Sequence, residues 1–201
     1  MKRPRSQPRP APSGKFLQEL RSLGYERIVG VDEVGRGALA GPICVAAVEI
    51  SREIAGIDDS KKITANQRER ICEIIRQQAV QISYGWASNA EIDQLGLAPA
   101  LNIAYERALR PVDIDLLLTD NYTPSYVLKH IRAVRGDQLF YPVAAASIVA
   151  KVCRDQLMRV YAEQFPNYLW QFNAGYGTPA HKKVLDALGP CPLHRRSFLH
   201  Q

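Results

Sequence analysis

The stretch Ile28-Val29-Gly30-Val31-Asp32-Glu33-Val34-Gly35-Arg36-Gly37-Ala38-Leu39-Ala40-Gly41-Pro42 constrains this chain more than any other. A short β-branched run, of the kind that fills buried strands, ends in two adjacent carboxylates. Two acids at the end of such a strand are costly unless a cation neutralises them. Gly35 and Gly37 let the backbone approach another group closely, and Arg36 between them carries a guanidinium suited to phosphate. Hard oxygen ligands therefore stand beside a phosphate-binding loop, the pairing that metal-dependent phosphodiester cleavage needs.

A chain of 201 residues suits one well-buried domain. The formal net charge of +6 is uneven, because Lys2, Arg3, Arg5 and Arg9 precede any acid. The body is only mildly basic, so charge alone does not argue for nucleic acid. Residues 1–14, rich in Pro, Arg and Ser, read as a disordered basic tail ahead of a single catalytic domain over 15–201. An electrostatic tether and a solvated leader are both open for the tail, and the leader is the plainer reading. Cys44, Cys72, Cys153 and Cys191 are scattered without metal-ligand spacing, which favours reduced, mostly buried thiols over a zinc site or disulfide framework. With no apolar run of membrane-spanning length and no apolar signal core, the expectation is a cytoplasmic protein without a membrane partner. No unexplained apolar stripe demands a second subunit, so a monomer is expected.

Periodicity predicts a helix carrying Phe16, Leu17, Leu20 and Leu23, then strands over 27–33 and 43–50. Thr64 and Gln67 have capping-box spacing and open a helix through about Val80, with Ile71, Ile74 and Ile75 inward. A strand over 81–88 and two short helices follow, the second near 97–109. The run 115–119, with Ile114, Leu116, Leu117 and Leu118 as its apolar residues, is a compact strand ending at Asp120, and Thr123-Pro124 predicts a helix to about Val134. A long helix over 144–165, small-sided in its first turns, precedes a last helix started by Thr178-Pro179 and stopped by Gly189-Pro190. The order of elements gives an α/β layer structure with a mixed sheet.

Four acids fall where catalysis is usually housed: Asp32 and Glu33 after the first strand, Asp120 after an interior strand, and Asp137 in a loop before a helix. Carboxylates are the preferred ligands of magnesium and manganese, and such a cluster suits two-metal hydrolysis of phosphodiesters. Each acid also has a plainer use. An Asp at a strand end is a common turn or cap residue, and Gly136-Asp137 reads as a turn. Asp58-Asp59 beside Ser60-Lys61-Lys62 reads as an exposed charged loop. Asp32-Glu33, flanked by apolar residues and glycine, is the hardest to explain that way.

The segment GVDEVGRGALAGP resembles the signature of type 2 ribonucleases H, the ribonuclease HII family. DDSKKIT at 58–64, AAASIVAKVCRD at 144–155, GYGTPAH at 175–181 and GPCPLHRRSF at 189–198 follow in the family's order. The resemblance implies a ribonuclease H-like fold, with a central mixed sheet flanked by helices and a small C-terminal helical segment. It implies an endonuclease that hydrolyses RNA in RNA–DNA hybrids and nicks 5′ to ribonucleotides embedded in duplex DNA, leaving 5′-phosphate and 3′-hydroxyl ends. The family's acidic positions fall on Asp32, Glu33, Asp120 and Asp137, as ligands of two Mn2+ or Mg2+ ions. Its glycine-arginine-glycine loop falls on Gly35, Arg36 and Gly37, and its sugar-stacking tyrosine on Tyr176. Lys61, Ser147 and Lys151 match family blocks as phosphate contacts. Ser147 serves equally as a small residue for helix packing, and Tyr176 has the alternative of a core aromatic. Asp155 reads as a structural partner in a local Arg-Asp salt bridge, and His181 as a surface or capping residue.

Two positions depart from the family pattern. Asn121-Tyr122 stands where Asp-Gly is common, and Ala174 where lysine is frequent; the second removes a backbone contact and predicts weaker duplex affinity. A different nuclease of the same broad fold and an inert nucleic-acid-binding module remain as alternatives. The Gly35–Gly37 loop and the Tyr176 block argue against the first, and the full set of four acids against the second.

Overall fold

The computed structural model describes residues 14–57, 63–120 and 129–199. Its centre is a five-stranded mixed sheet in the order β3-β2-β1-β4-β5. The strands are β1 (Ile28–Val34), β2 (Ile43–Glu49), β3 (Gln81–Ala87), β4 (Leu116–Asp120) and β5 (His130–Ala133). The first three form an antiparallel meander, and β4 and β5 add in parallel on the side of β1. Around the sheet lie α1 (Lys15–Ser22), α2 (Ala65–Gln78), α3 (Asn89–Leu95), α4 (Leu97–Leu109), α5 (Gly136–Leu139) and α6 (Tyr141–Gln164). The helices α7 (Trp170–Asn173) and α8 (Pro179–Leu188) make the C-terminal segment. The expected α/β architecture is present.

Strand alternation divides β1 between two layers. Val29 and Val31 join the cluster under α4 with Leu101, Ala104 and Tyr105. Gly30 faces the opposite way, where a Cβ would stand 2.1 Å from the carbonyl carbon of Pro142, so α6 lies directly on the strand. On the other face Gly85 does the same for α4, since its Cβ would meet Ala104 O at 1.9 Å. The small-sided run Ala144–Ala146 continues the approach of α6 along Cys44, Ala46 and Val48 of β2. This helix starts three residues before the expected Ala144, because Pro142 fits a first turn whose N–H groups need no partner. The predicted capping box forms in full, with Thr64 and Gln67 bonding reciprocally at the start of α2.

One expected element is corrected. The helix predicted from Thr123 to about Val134 gives way, at its C-terminal end, to β5, which pairs Leu117–Asp120 with His130–Ala133. Ile131 and Ala133 pack inward while His130 and Arg132 are exposed, a period of two that the Thr-Pro signal obscured. Residues 121–128, with Asn121, Thr123 and Pro124, lie outside the described residues. Among those that are described, no helix is long and apolar enough to cross a membrane.

Candidate active site

The parallel register of β1 and β4 pairs Val31 with Thr119. Asp32 and Asp120 therefore follow side by side at adjacent strand ends. They share a face as well: Asp120 follows Leu116 and Leu118, which pack on the α1 side of the sheet, and Asp32 follows Gly30 toward α6. Strand β5 feeds the short helix α5, which carries Asp137 at 4% exposure; this acid is helical, where a loop was expected. A Cβ on Gly136 would come within 3.0 Å of Thr119 O, so that turn hugs the end of β4. Asp120 Oδ1 accepts hydrogen bonds from the N–H groups of Arg135 at 2.8 Å and Gly136 at 3.3 Å. Asp120 is thus a turn residue and a cleft residue at once.

Burial pushes the Asp32 carboxyl well above the usual carboxylate range, and the negative charges of Glu33 and Asp137 add to it; a hydrogen bond from the Ser147 side chain opposes the shift. Alternation sends Glu33 to the α4 face instead. There the fully buried Tyr105 donates its hydroxyl proton to Glu33 Oε2 at 2.6 Å. Arg36 Nη1 holds Glu33 Oε1 at 3.0 Å.

A cleft of about 380 Å³ opens over these strand ends. Asp32, Glu33, Asp120, Asp137, Gly35, Arg36, Gly37, Ser147, Lys151 and Tyr176 all line it. Lys61 lies outside the described residues. Val34 and Arg68 line the cleft as well, and nothing in the spacing of Arg68 on α2 marked it beforehand. Lys151 Nζ bonds Asp155 at 2.9 Å and lies 5.5 Å from the Tyr176 ring centroid. Ser147, only 7% exposed, faces Asp32 from α6. A larger hollow of about 1200 Å³ lies by Arg27 and Asp115, beyond the opposite strand ends. Arg27 there is paired with both Asp113 and Asp115, which leaves that hollow without the concentrated like charge of the acidic cleft.

Three local readings change. The Asp155 salt bridge runs to Lys151 and not to its neighbour Arg154, whose side chain points into the protein. His181 is fully buried and is no surface residue. Its Nδ1 meets Tyr176 O at 2.9 Å, and its Nε2 faces His194 Nε2 at 3.1 Å and the Trp170 N–H at 3.2 Å. The third concerns buried groups that were given no role, although Arg154 and Arg195 fall within two of the family-like blocks. Tyr105, Arg154 and Arg195 support the cleft from below, and only their final environment separates them from ordinary helix and loop residues.

The donor chemistry of the cleft fits a hard divalent cation. Asp32, Asp120, Asp137 and Glu33 offer only carboxylate oxygens, and the raised Asp32 shows a charge the fold alone leaves uncompensated. Among the described residues, no three His, Cys, Asp or Glu side chains stand ready-gathered around one point. The hydrogen bonds explain this arrangement, since Glu33 is drawn to Tyr105 and Arg36, and Asp120 to the α5 turn.

Comparison with known proteins adds the following. The family model described as Ribonuclease HII matches residues 29–201. A protein of Synechococcus sp. (strain JA-3-3Ab) named Ribonuclease HII is 44% identical over 194 residues, covering 93% of this chain and 88% of that one. Among solved structures, the PCNA:RNase HII complex from Archaeoglobus fulgidus aligns with a TM-score of 0.74 at 24% identity, over 88% of this chain and 96% of that chain. Bst-RNase HIII in complex with Mn2+ aligns at 0.65 and 19% identity, over 81% of this chain and 63% of that chain. At such identities these two structures speak to the fold.

Proposed function

Since the chain belongs to the ribonuclease HII family and is an endoribonuclease of the ribonuclease H type, we propose that it nicks duplex DNA 5′ to an embedded ribonucleotide, besides hydrolysing RNA–DNA hybrids, by two-metal catalysis. The observation that carries this reading is that the acidic strand ends, the Gly35–Gly37 loop and Tyr176 line one cleft. Groups able to recognise a sugar therefore share a cleft with groups able to cut beside it.

Asp32, Asp120 and Asp137 would hold the ions, with Glu33 joining from across the sheet. Bound there, Mg2+ or Mn2+ supplies the Lewis acidity that activates water and stabilises the departing 3′ oxygen. The chain's own groups do the selecting. The 2′-hydroxyl separates RNA from DNA at a site, and main-chain groups of a tight glycine loop can bond to it. A Cβ at Gly37 would meet nothing within 4 Å among the described residues, which leaves room for a ligand beside this glycine. Tyr176 offers a ring for stacking on the sugar, and Lys151 and Arg36 place positive charge along the strand's phosphates. Lys61 is a further proposed phosphate contact. The protein acts as a monomer on hybrids and ribonucleotide-containing duplexes.

The test is a DNA duplex carrying one ribonucleotide, incubated with Mg2+ or Mn2+ and then with chelator. A single nick 5′ to the ribonucleotide, with 5′-phosphate and 3′-hydroxyl ends, is expected only when metal is present. Cleavage of long hybrids without that nick would leave the family activity intact and contradict the finer reading. Tight duplex binding without any cleavage would favour the inert module.

A further inference from the structure

Arg154 and Arg195 are both fully buried, and among the described residues neither hydrogen-bonds a carboxylate. Their donors go to main-chain carbonyls. Arg154 reaches Pro42 O through Nε at 2.8 Å, Ala40 O through Nη2 at 3.1 Å and Ala174 O through Nη1 at 2.8 Å. Arg195 reaches Gly41 O through Nε at 2.9 Å and Arg36 O through Nη1 at 2.9 Å. Two buried cations that bond main-chain carbonyls, with Asp155 and Asp93 acting on them only through space, are an expensive way to tie down a loop. Among the described residues, moreover, Arg195 Nη2 is a buried donor with no hydrogen-bond partner. Stability alone does not account for the pair.

What the carbonyls do to the loop does account for it. A trans peptide holds its C=O and N–H antiparallel, and no cis bond occurs among the described residues. When Arg195 draws the Arg36 carbonyl inward, the N–H of Gly37 turns the opposite way, on a loop that lines the cleft. Arg154 fixes the segment bridged to this loop, where Tyr176 pairs with Ala38. It holds Ala174 O two residues before Tyr176, and its Cζ lies 5.3 Å from the Tyr176 ring centroid. The loop's first glycine belongs to the same device, because Gly35 has φ +96° and a Cβ there would strike Arg154 Nε at 2.3 Å.

We propose that Arg195 and Arg154 are positioning residues for ribonucleotide recognition, presenting the Gly37 N–H and the Tyr176 ring side by side in the cleft in one fixed arrangement. The inference rests on the reading of this cleft as a ribonucleotide site. A sugar oxygen bound by the Gly37 N–H would then depend on a guanidinium that never touches the substrate.

The experiment uses Asp32→Asn protein, which binds without cutting, and measures by fluorescence anisotropy the affinity ratio between a duplex with one ribonucleotide and the all-DNA duplex. Adding Arg195→Lys is expected to lower that ratio about tenfold, the scale of one well-aligned hydrogen bond, with the all-DNA affinity changing less than twofold. A merely structural arginine would shift both affinities by the same factor. Gly37→Ala keeps the question open to test should a buried lysine unfold the chain. Its Cβ has free space, so wild-type melting with a lost preference is expected. An unchanged ratio in folded Arg195→Lys, or in Gly37→Ala, overturns the clamp. If the Asp32→Asn parent itself shows no preference for the ribonucleotide, the reading of the cleft fails and the clamp with it.

Discussion

At the scale of single residues, the site costs stability that its chemistry needs. Asp32 is held against its natural ionisation by burial and by the charges of Glu33 and Asp137. Asp32→Asn keeps the shape and removes the charge, so metal-free protein should gain stability at neutral pH while cleavage nearly vanishes. Denaturant unfolding beside a cleavage assay checks both; a destabilised variant would contradict the electrostatic account. Ala174 makes a second case. It sits in the left-handed region at φ +46°, half-buried, with its carbonyl on Arg154. Ala174→Lys should tighten duplex binding and steepen its salt dependence, as one added phosphate contact does. No change in either quantity would remove that contact from the account. The four acids and the Gly35–Gly37 loop were legible because acids and glycines are unusual beside buried strands. Arg154, Arg195 and Tyr105 were not, because nothing in a lone arginine or tyrosine announces which carbonyl or carboxylate it will meet.

At the scale of elements, the cleft depends on how closely α6 lies on β1. Gly30 is the crossing point, and any Cβ there would fall 2.1 Å from backbone that cannot move aside. Gly30→Ala should therefore cost 3 kcal/mol or more, at or beyond the upper end of ordinary overpacking, or leave the protein insoluble. A melting temperature within a few degrees of the parent would show that the helix can retreat. The small residues at the start of α6 made this contact readable in outline, and the cap at Thr64 fixed the start of α2. The edge strand β5 was misread for a physical reason. Four residues of alternating burial are too short a pattern to outweigh a Thr-Pro helix start, and pairing with β4 decided the outcome.

At the scale of the whole molecule, the C-terminal segment locks the loop beside the acids. Leu39 and Ala40 donate to Gly175 O, Arg195 N donates to Leu39 O, and Gly41 donates to Leu193 O. Beneath these bonds His181 and His194 face each other next to Trp170 and Tyr168. Burial, and then the charge of His181, brings His194 down to about 4. An unfolded chain takes up that proton near pH 6.5, well above the folded one, so between those values the unfolded state binds more protons and stability falls as pH falls. We expect wild-type stability to drop by up to about 1.4 kcal/mol per pH unit from this residue across that window. In His194→Gln the slope should be flatter by the same amount; equal slopes would mean that His194 titrates normally in the folded protein. The mixed sheet and its flanking helices were readable from the order of elements, whereas the burial of both histidines depends on long-range packing that no local pattern encodes. If one end of this sheet gathers a metal next to a sugar-reading loop, crystals equilibrated with Mn2+ will show, by anomalous diffraction, manganese bound by the carboxylates of Asp32, Asp120 and Asp137. Manganese found only elsewhere on the protein, with those three carboxylates unliganded, would mean that the acidic strand ends are not a metal site.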